Sequence, residues 1–121
     1  PRVAALAAER AAALDRAGHP LACYEVPLLF EGGLEGVLAP VVVVAAPVEV
    51  QVARAVARDG SSEADVRLRV RAQMPLEEKV RRAAHVIDNG GAREATIARA
   101  DDVLDAVCGE LGIDPGRYPR P

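Results

Sequence analysis

"PVVVVAAP", residues 40–47, decides the fold. Four consecutive valines leave no alternation between an inner and an outer face. A short β-branched run of this kind, bracketed by prolines, reads as a strand buried on both faces, the signature of a parallel sheet. Parallel strands are joined by crossovers, usually helical, so helices should follow. Pro47 suits the first turn of a helix, where its missing N–H costs nothing. Val48, Val52, Ala55 and Val56 give that helix an apolar stripe ending near Gly60. Ser62 can cap a second helix with Asp65 doing part of a capping-box job. Its apolar positions are Val66, Val70 and Met74, and Pro75 resets the chain into a third helix over 76–84. "HVID", residues 85–88, reads as a short strand that leaves sharply at Asn89-Gly90-Gly91. Residues 92–111 form a last helix with Ile97, Ala100, Leu104, Val107 and Leu111 on one face. The tail "GIDPGRYPRP" is turn-rich and loose.

Upstream, residues 2–17 read as a helix with Val3, Leu6, Ala7 and Leu14 on one face and Gly18 as its stop. "LACYEV", residues 21–26, reads as a strand continuing irregularly through "PLLF" to Glu31, where Gly32-Gly33 break it. Residues 34–38 allow one or two helical turns. Strands alternating with helices predict an α/β fold with a parallel sheet of three strands. Ligands of such sheets sit beyond the carboxyl ends of the strands. Here those ends carry Glu31, the "AAP" corner and Asp88-Asn89-Gly90-Gly91, which together form the rim of a site.

Half of the 121 residues are apolar, and Tyr24, Phe30 and Tyr118 are the whole aromatic complement. The core is therefore built from small aliphatic side chains. At roughly 25 cal/mol per Å² buried, it implies modest stability. The net charge of −3 argues against generic nucleic-acid binding. Residues 47–82 nevertheless carry a net +2, which suits a small anionic ligand or solvated helix faces. Cys23 and Cys108 lie far apart in apolar surroundings, outside any metal-ligand cluster with His19 or His85, and read as buried free thiols of a reducing cytoplasm. No segment has the length and apolarity of a membrane span, and no signal peptide is visible. The chain begins at Pro1 already in helical pattern, as a fragment or a processed chain would.

Arg54 and Arg58 are four residues apart and project from one helix face. Two adjacent guanidiniums need a counterion. Phosphate matches the planar fork, and acidic neighbours such as Glu49 or Asp59 are the other solution.

"VPLLFE" at 26–31, "VVVVAAP" at 41–47, "Q..R...RD" at 51–59, "R...Q.P...K" at 69–79 and "VIDNGG" at 86–91 occur in fixed order. This ordered set resembles the C-terminal two-thirds of dephospho-CoA kinase, over roughly residues 1–110. The resemblance implies a three-layer P-loop kinase fold, here incomplete. It divides the chain into part of the core sheet with an acceptor-side helix (1–46), a helical lid (47–84), the last core strand with the C-terminal helix (85–110) and a flexible tail (111–121). It implies transfer of the γ-phosphoryl group of ATP to the 3′-hydroxyl of dephospho-CoA, the last step of coenzyme A synthesis, with Mg²⁺. It places Glu31 at the catalytic centre on the acceptor side, and Arg54, Arg58 and Asn89 on the ATP side, with Arg58 the better placed of the two arginines for a phosphate or nucleotide contact. Gln73, Pro75 and Lys79 match the lid-return helices in a structural role. His85 stands where the family usually carries an aspartate, and no catalytic role is assigned to it.

The phosphate-cradling pattern G-x-x-x-x-G-K-[ST] of such kinases is nowhere in the 121 residues. The family carries that loop in its N-terminal third, on a strand lying between the two matched by "LACYEV" and "VVVVAA". The chain alone is therefore expected to be inactive, with two exposed strand edges. A non-catalytic nucleotide-binding or interaction module and a different P-loop small-molecule kinase remain as alternatives. Dephospho-CoA and ATP are the expected partners, with neither nucleic acid nor membrane. The oligomeric state stays open.

Overall fold

A computed structural model describes residues 2–120. Helix α1 (Arg2–Arg16) leads through a long irregular segment to strand β1 (Val42–Ala45). Three helices follow, α2 (Val48–Asp59), α3 (Glu63–Arg71) and α4 (Leu76–Arg82). Strand β2 (His85–Asp88) and helix α5 (Arg93–Leu111) come next, then a 3-10 turn at Pro115–Arg117. The strands run parallel, with Val42 opposite His85 and Ala45 opposite Asp88. The chain thus has the expected α/β character, a small and incomplete parallel sheet with helices packed against both strands, α4 on β1 and α5 on β2.

The sheet has two strands rather than three. Residues 21–26 make no ladder, and Pro27–Gly33 coils through turns, Gly32 N–H donating to Leu28 O at 3.0 Å and Leu34 N–H to Leu29 O at 3.0 Å. A strand exists only through a neighbour, and no backbone partner faces 21–26 among the described residues. The expected helical turn at 34–38 is present as one turn, closed by Leu38 N–H on Leu34 O at 2.9 Å.

Burial also departs from expectation in β1. Val43 is buried, whereas Val44 is 57% exposed and Val42 37%. Successive side chains of a strand point to opposite faces, and the described residues cover only the Val43 face. The core consists of Phe30, Val43, Val52, Val66, Val103, Val107 and Cys108. On α5 the buried strip is centred on Val103 and Val107, with Ile97 and Leu111 at its exposed margins. Cys108 is fully buried as expected, but Cys23 is exposed, on a segment that joins no sheet among the described residues. The expected face of α1 is uncovered too, since Val3, Leu6 and Leu14 are all exposed and the helix has no buried residue.

Local signals fix the helix ends. Ser62 Oγ accepts the Asp65 N–H at 3.2 Å and donates to the Asp65 carboxylate at 2.6 Å, which caps α3. The αL glycine Gly60 ends α2. At the end of α5, Gly112 N–H bonds Gly109 O and Ile113 N–H bonds Cys108 O, a Schellman pair that needs the positive φ of Gly112. Residues 114–120 make contacts among themselves and with the rest of the chain. Asp114 accepts the Gly116 N–H at 2.9 Å, Arg120 pairs with Asp105, and Arg117 reaches Gly18 O at 3.4 Å.

Candidate active site

The parallel register brings the ends of β1 and β2 to one rim. The ladder runs one bond past the strands, Asn89 N–H donating to Ala45 O at 2.7 Å. Beyond it, Ala45, Ala46, Pro47, Leu76, Glu77 and Asp88 line a shallow depression. Helix α2 is tied to this rim twice, through Gln51 Nε2 on Ala46 O at 2.7 Å and Arg54 Nη1 on Asn89 O at 2.6 Å. From α5, Thr96 Oγ1 lies within hydrogen-bond distance of Asp88 O and of Asn89 Oδ1, at 3.2 and 3.3 Å. Gly90 N–H donates to Asp88 Oδ1 at 2.7 Å and closes the turn out of β2.

Arg54 and Asn89, both singled out from the sequence, are therefore in direct contact. The bond uses one of the guanidinium's donors, and Arg54 forms no ion pair among the described residues. Arg58 is elsewhere. It clamps the adjacent Asp59 carboxylate with two bonds, at 2.6 and 3.0 Å, and its side chain is 77% exposed. Each arginine thus has its own acceptor within the chain, Asn89 O for Arg54 and, for Arg58, Asp59, one of the acidic neighbours the sequence offers. The Asp59 carboxylate is held below its ordinary pKa by Arg58, which is itself pushed up. Arg67 bridges Glu49 of α2, at 3.0 and 2.6 Å, and Glu63 of its own helix, at 2.8 Å, and so fastens α2 to α3.

Glu31 lies in a second cluster. Its Oε1 sits 2.9 Å from Lys79 Nζ and accepts the Met74 N–H at 2.9 Å. The Lys79 hydrogen bond, aided by the Met74 N–H, holds the Glu31 carboxyl at a pKa of about 2. Gln73 Oε1 is 3.4 Å from the same ammonium. Next to it, the Arg82 guanidinium stands over the Phe30 ring at 4.9 Å and pairs with Glu35. The sequence reading missed this partnership of Glu31 with Lys79. It also missed Thr96 and Arg82, whose one sequence signal was the Lys79–Arg82 spacing on a single helix face.

His85 Nε2 is 2.9 Å from Glu110 Oε1, off the axis of a hydrogen bond, so the histidine belongs to the contact between β2 and α5. No helix among the described residues is long and apolar enough to cross a membrane.

Comparison with known proteins adds the family. The family model for dephospho-CoA kinase matches residues 1–95. The chain is 46% identical over 112 residues to the dephospho-CoA kinase of Anaeromyxobacter dehalogenans, covering 93% of this chain and 53% of that protein. It is 48% identical over 106 residues to a dephospho-CoA kinase of Thermus thermophilus, covering 86% and 50%. The crystal structure of TT1252 from Thermus thermophilus aligns with a TM-score of 0.62 at 50% identity, over 72% of this chain and 44% of that one. The chain spans about half the length of the curated relatives it matches. Sequence, ordered motifs and fold together show that the chain belongs to the dephospho-CoA kinase family.

Proposed function

We propose that this protein transfers the γ-phosphoryl group of ATP to the 3′-hydroxyl of dephospho-CoA, the last step of coenzyme A biosynthesis, in the cytoplasm and with Mg²⁺. The observation that carries this reading is the family match over residues 1–95. The 121 residues contribute the acceptor-side turn at Glu31, the helical segment 47–84 acting as a lid over ATP, and the rim at Asn89. The local geometry favours Arg54 over Arg58 for a nucleotide contact. Arg54 sits at the carboxyl ends of both strands and, among the described residues, keeps donors free of any carboxylate, whereas Arg58 is bound to Asp59. The phosphate cradle is absent from these residues, so the chain alone does not turn over.

The test is ADP release with Mg-ATP and dephospho-CoA, run on residues 1–121 and on the same residues joined to the coding sequence upstream. Turnover in the longer protein alone supports the proposal. A folded longer protein that binds ATP but ignores dephospho-CoA points to another acceptor or to a binding module. Turnover by residues 1–121 alone overturns the assignment of the phosphate site.

A further inference from the structure

Two remote stretches meet at Glu31. One is the turn Leu28–Gly33, which ends the acceptor-side segment, and the other is the corner between α3 and α4. The contact is built for one charge. A single carboxylate oxygen takes both the Met74 N–H and the Lys79 ammonium, each at 2.9 Å. The Lys79 side chain is mostly covered, at 13% exposure, and that of Glu31 is partly covered, at 24%. Arg82, one turn further along α4, makes a second grip on the same stretch by standing over the buried Phe30 and pairing with Glu35. Glu78 of α4 lies 3.7 Å from Arg82 and not against Glu31. The charged groups around Glu31 are thus Lys79 and, through the adjoining grip, Arg82, Glu35 and Glu78.

We propose that Lys79 is a positioning residue: it fixes the Glu31 carboxylate against the α3–α4 corner and so joins the acceptor-side turn to the return of the lid. The proposal rests on the kinase reading for its kinetic consequence but not for the joint itself. A carboxylate held this way is a weak proton acceptor. Its role is to set the distance between the two substrate-bearing parts of the site. Lys79 is also the chain's only lysine among fourteen arginines. An ammonium meets one oxygen of Glu31 and one of Gln73 here, whereas a guanidinium fork is wider and planar.

The test uses the longer protein with Lys79→Met, Lys79→Arg and Glu31→Gln. Carbon-detected NMR follows the Glu31 carboxyl through acid titration, and steady-state kinetics follow each substrate separately. In Lys79→Met the Glu31 titration should rise toward the ordinary glutamate range, with arginine restoring part of the depression. Misplacement of a site by this joint should lower kcat by about 10- to 100-fold while KM for ATP stays within about twofold. A Glu31 titration unmoved by Lys79→Met overturns the joint, whatever the substrate. A moved titration with unchanged kcat overturns the positioning role alone. If the unmutated protein fails to phosphorylate dephospho-CoA, the kinase reading falls while the titration still decides the joint.

Discussion

Gly90 lies against Pro47 so closely that a Cβ added to it would stand 2.8 Å from Pro47 Cδ and 3.1 Å from Asp88 Oδ1. The exit of β2 and the entrance of α2 are thereby packed backbone to ring, with no room for a side chain. Gly90→Ala should destabilise the protein by about 1–3 kcal/mol, the usual cost of overpacking. Chemical denaturation of the variant checks this. Gly91→Ala is the control, because nothing lies within 4 Å of a Cβ there.

Arg54 and Arg58 should separate on substitution. Arg54→Ala removes the bond to Asn89 O and the free guanidinium at the rim, so KM for ATP should rise about tenfold. Arg58→Ala should leave the unfolding midpoint unchanged, since that guanidinium is solvent-exposed and bonded to its neighbour. ATP titrations and melting curves of the two variants decide it. Equal effects from both would mean that Arg58 swings off Asp59 when nucleotide binds.

Acid should act through Glu31. Its folded pKa lies near 2 against an ordinary 4.5, so the folded state favours the ionised form. The resulting stabilisation is fully present above the unfolded value and is lost as pH falls from 4.5 toward 2. Asp59 and Glu49, lowered by their arginines, act in the same direction. Glu31→Gln should flatten the loss of stability across that window, measured as the urea midpoint at successive pH values.

Neighbouring valines of β1 should respond unequally in residues 1–121. Val43→Ala removes a buried side chain and should cost about 2 kcal/mol. Val44→Ala removes one that is already 57% exposed and should cost much less. Comparing their urea midpoints gives the ratio directly.

The sequence was most legible where a structure is local. Four valines between prolines define β1, Ser62 marks the start of α3, and Gly60 and Gly112 mark helix ends. Residues 21–26 have strand composition, but pairing is decided by a neighbour that no local pattern encodes. The sheet rim was expected at Asn89, and Arg54 was singled out for its spacing from Arg58, yet their mutual bond spans 35 residues and follows from the parallel register. Glu31 was flagged because it ends an apolar run. Its partners Met74 and Lys79 lie more than forty residues away, and spacing along a chain says nothing about such contacts.

The pairing of Ala45 with Asp88 closes the whole segment between them into a loop whose ends are fixed by backbone bonds. The free energy of closing a loop grows only with the logarithm of its length, by about 0.6 kcal/mol per doubling. Extra residues inserted at the α2–α3 connection around Gly60, which is exposed, would thus leave both roots of the loop in register. That connection is the place where the length of the chain can vary while the sheet rim stays as it is.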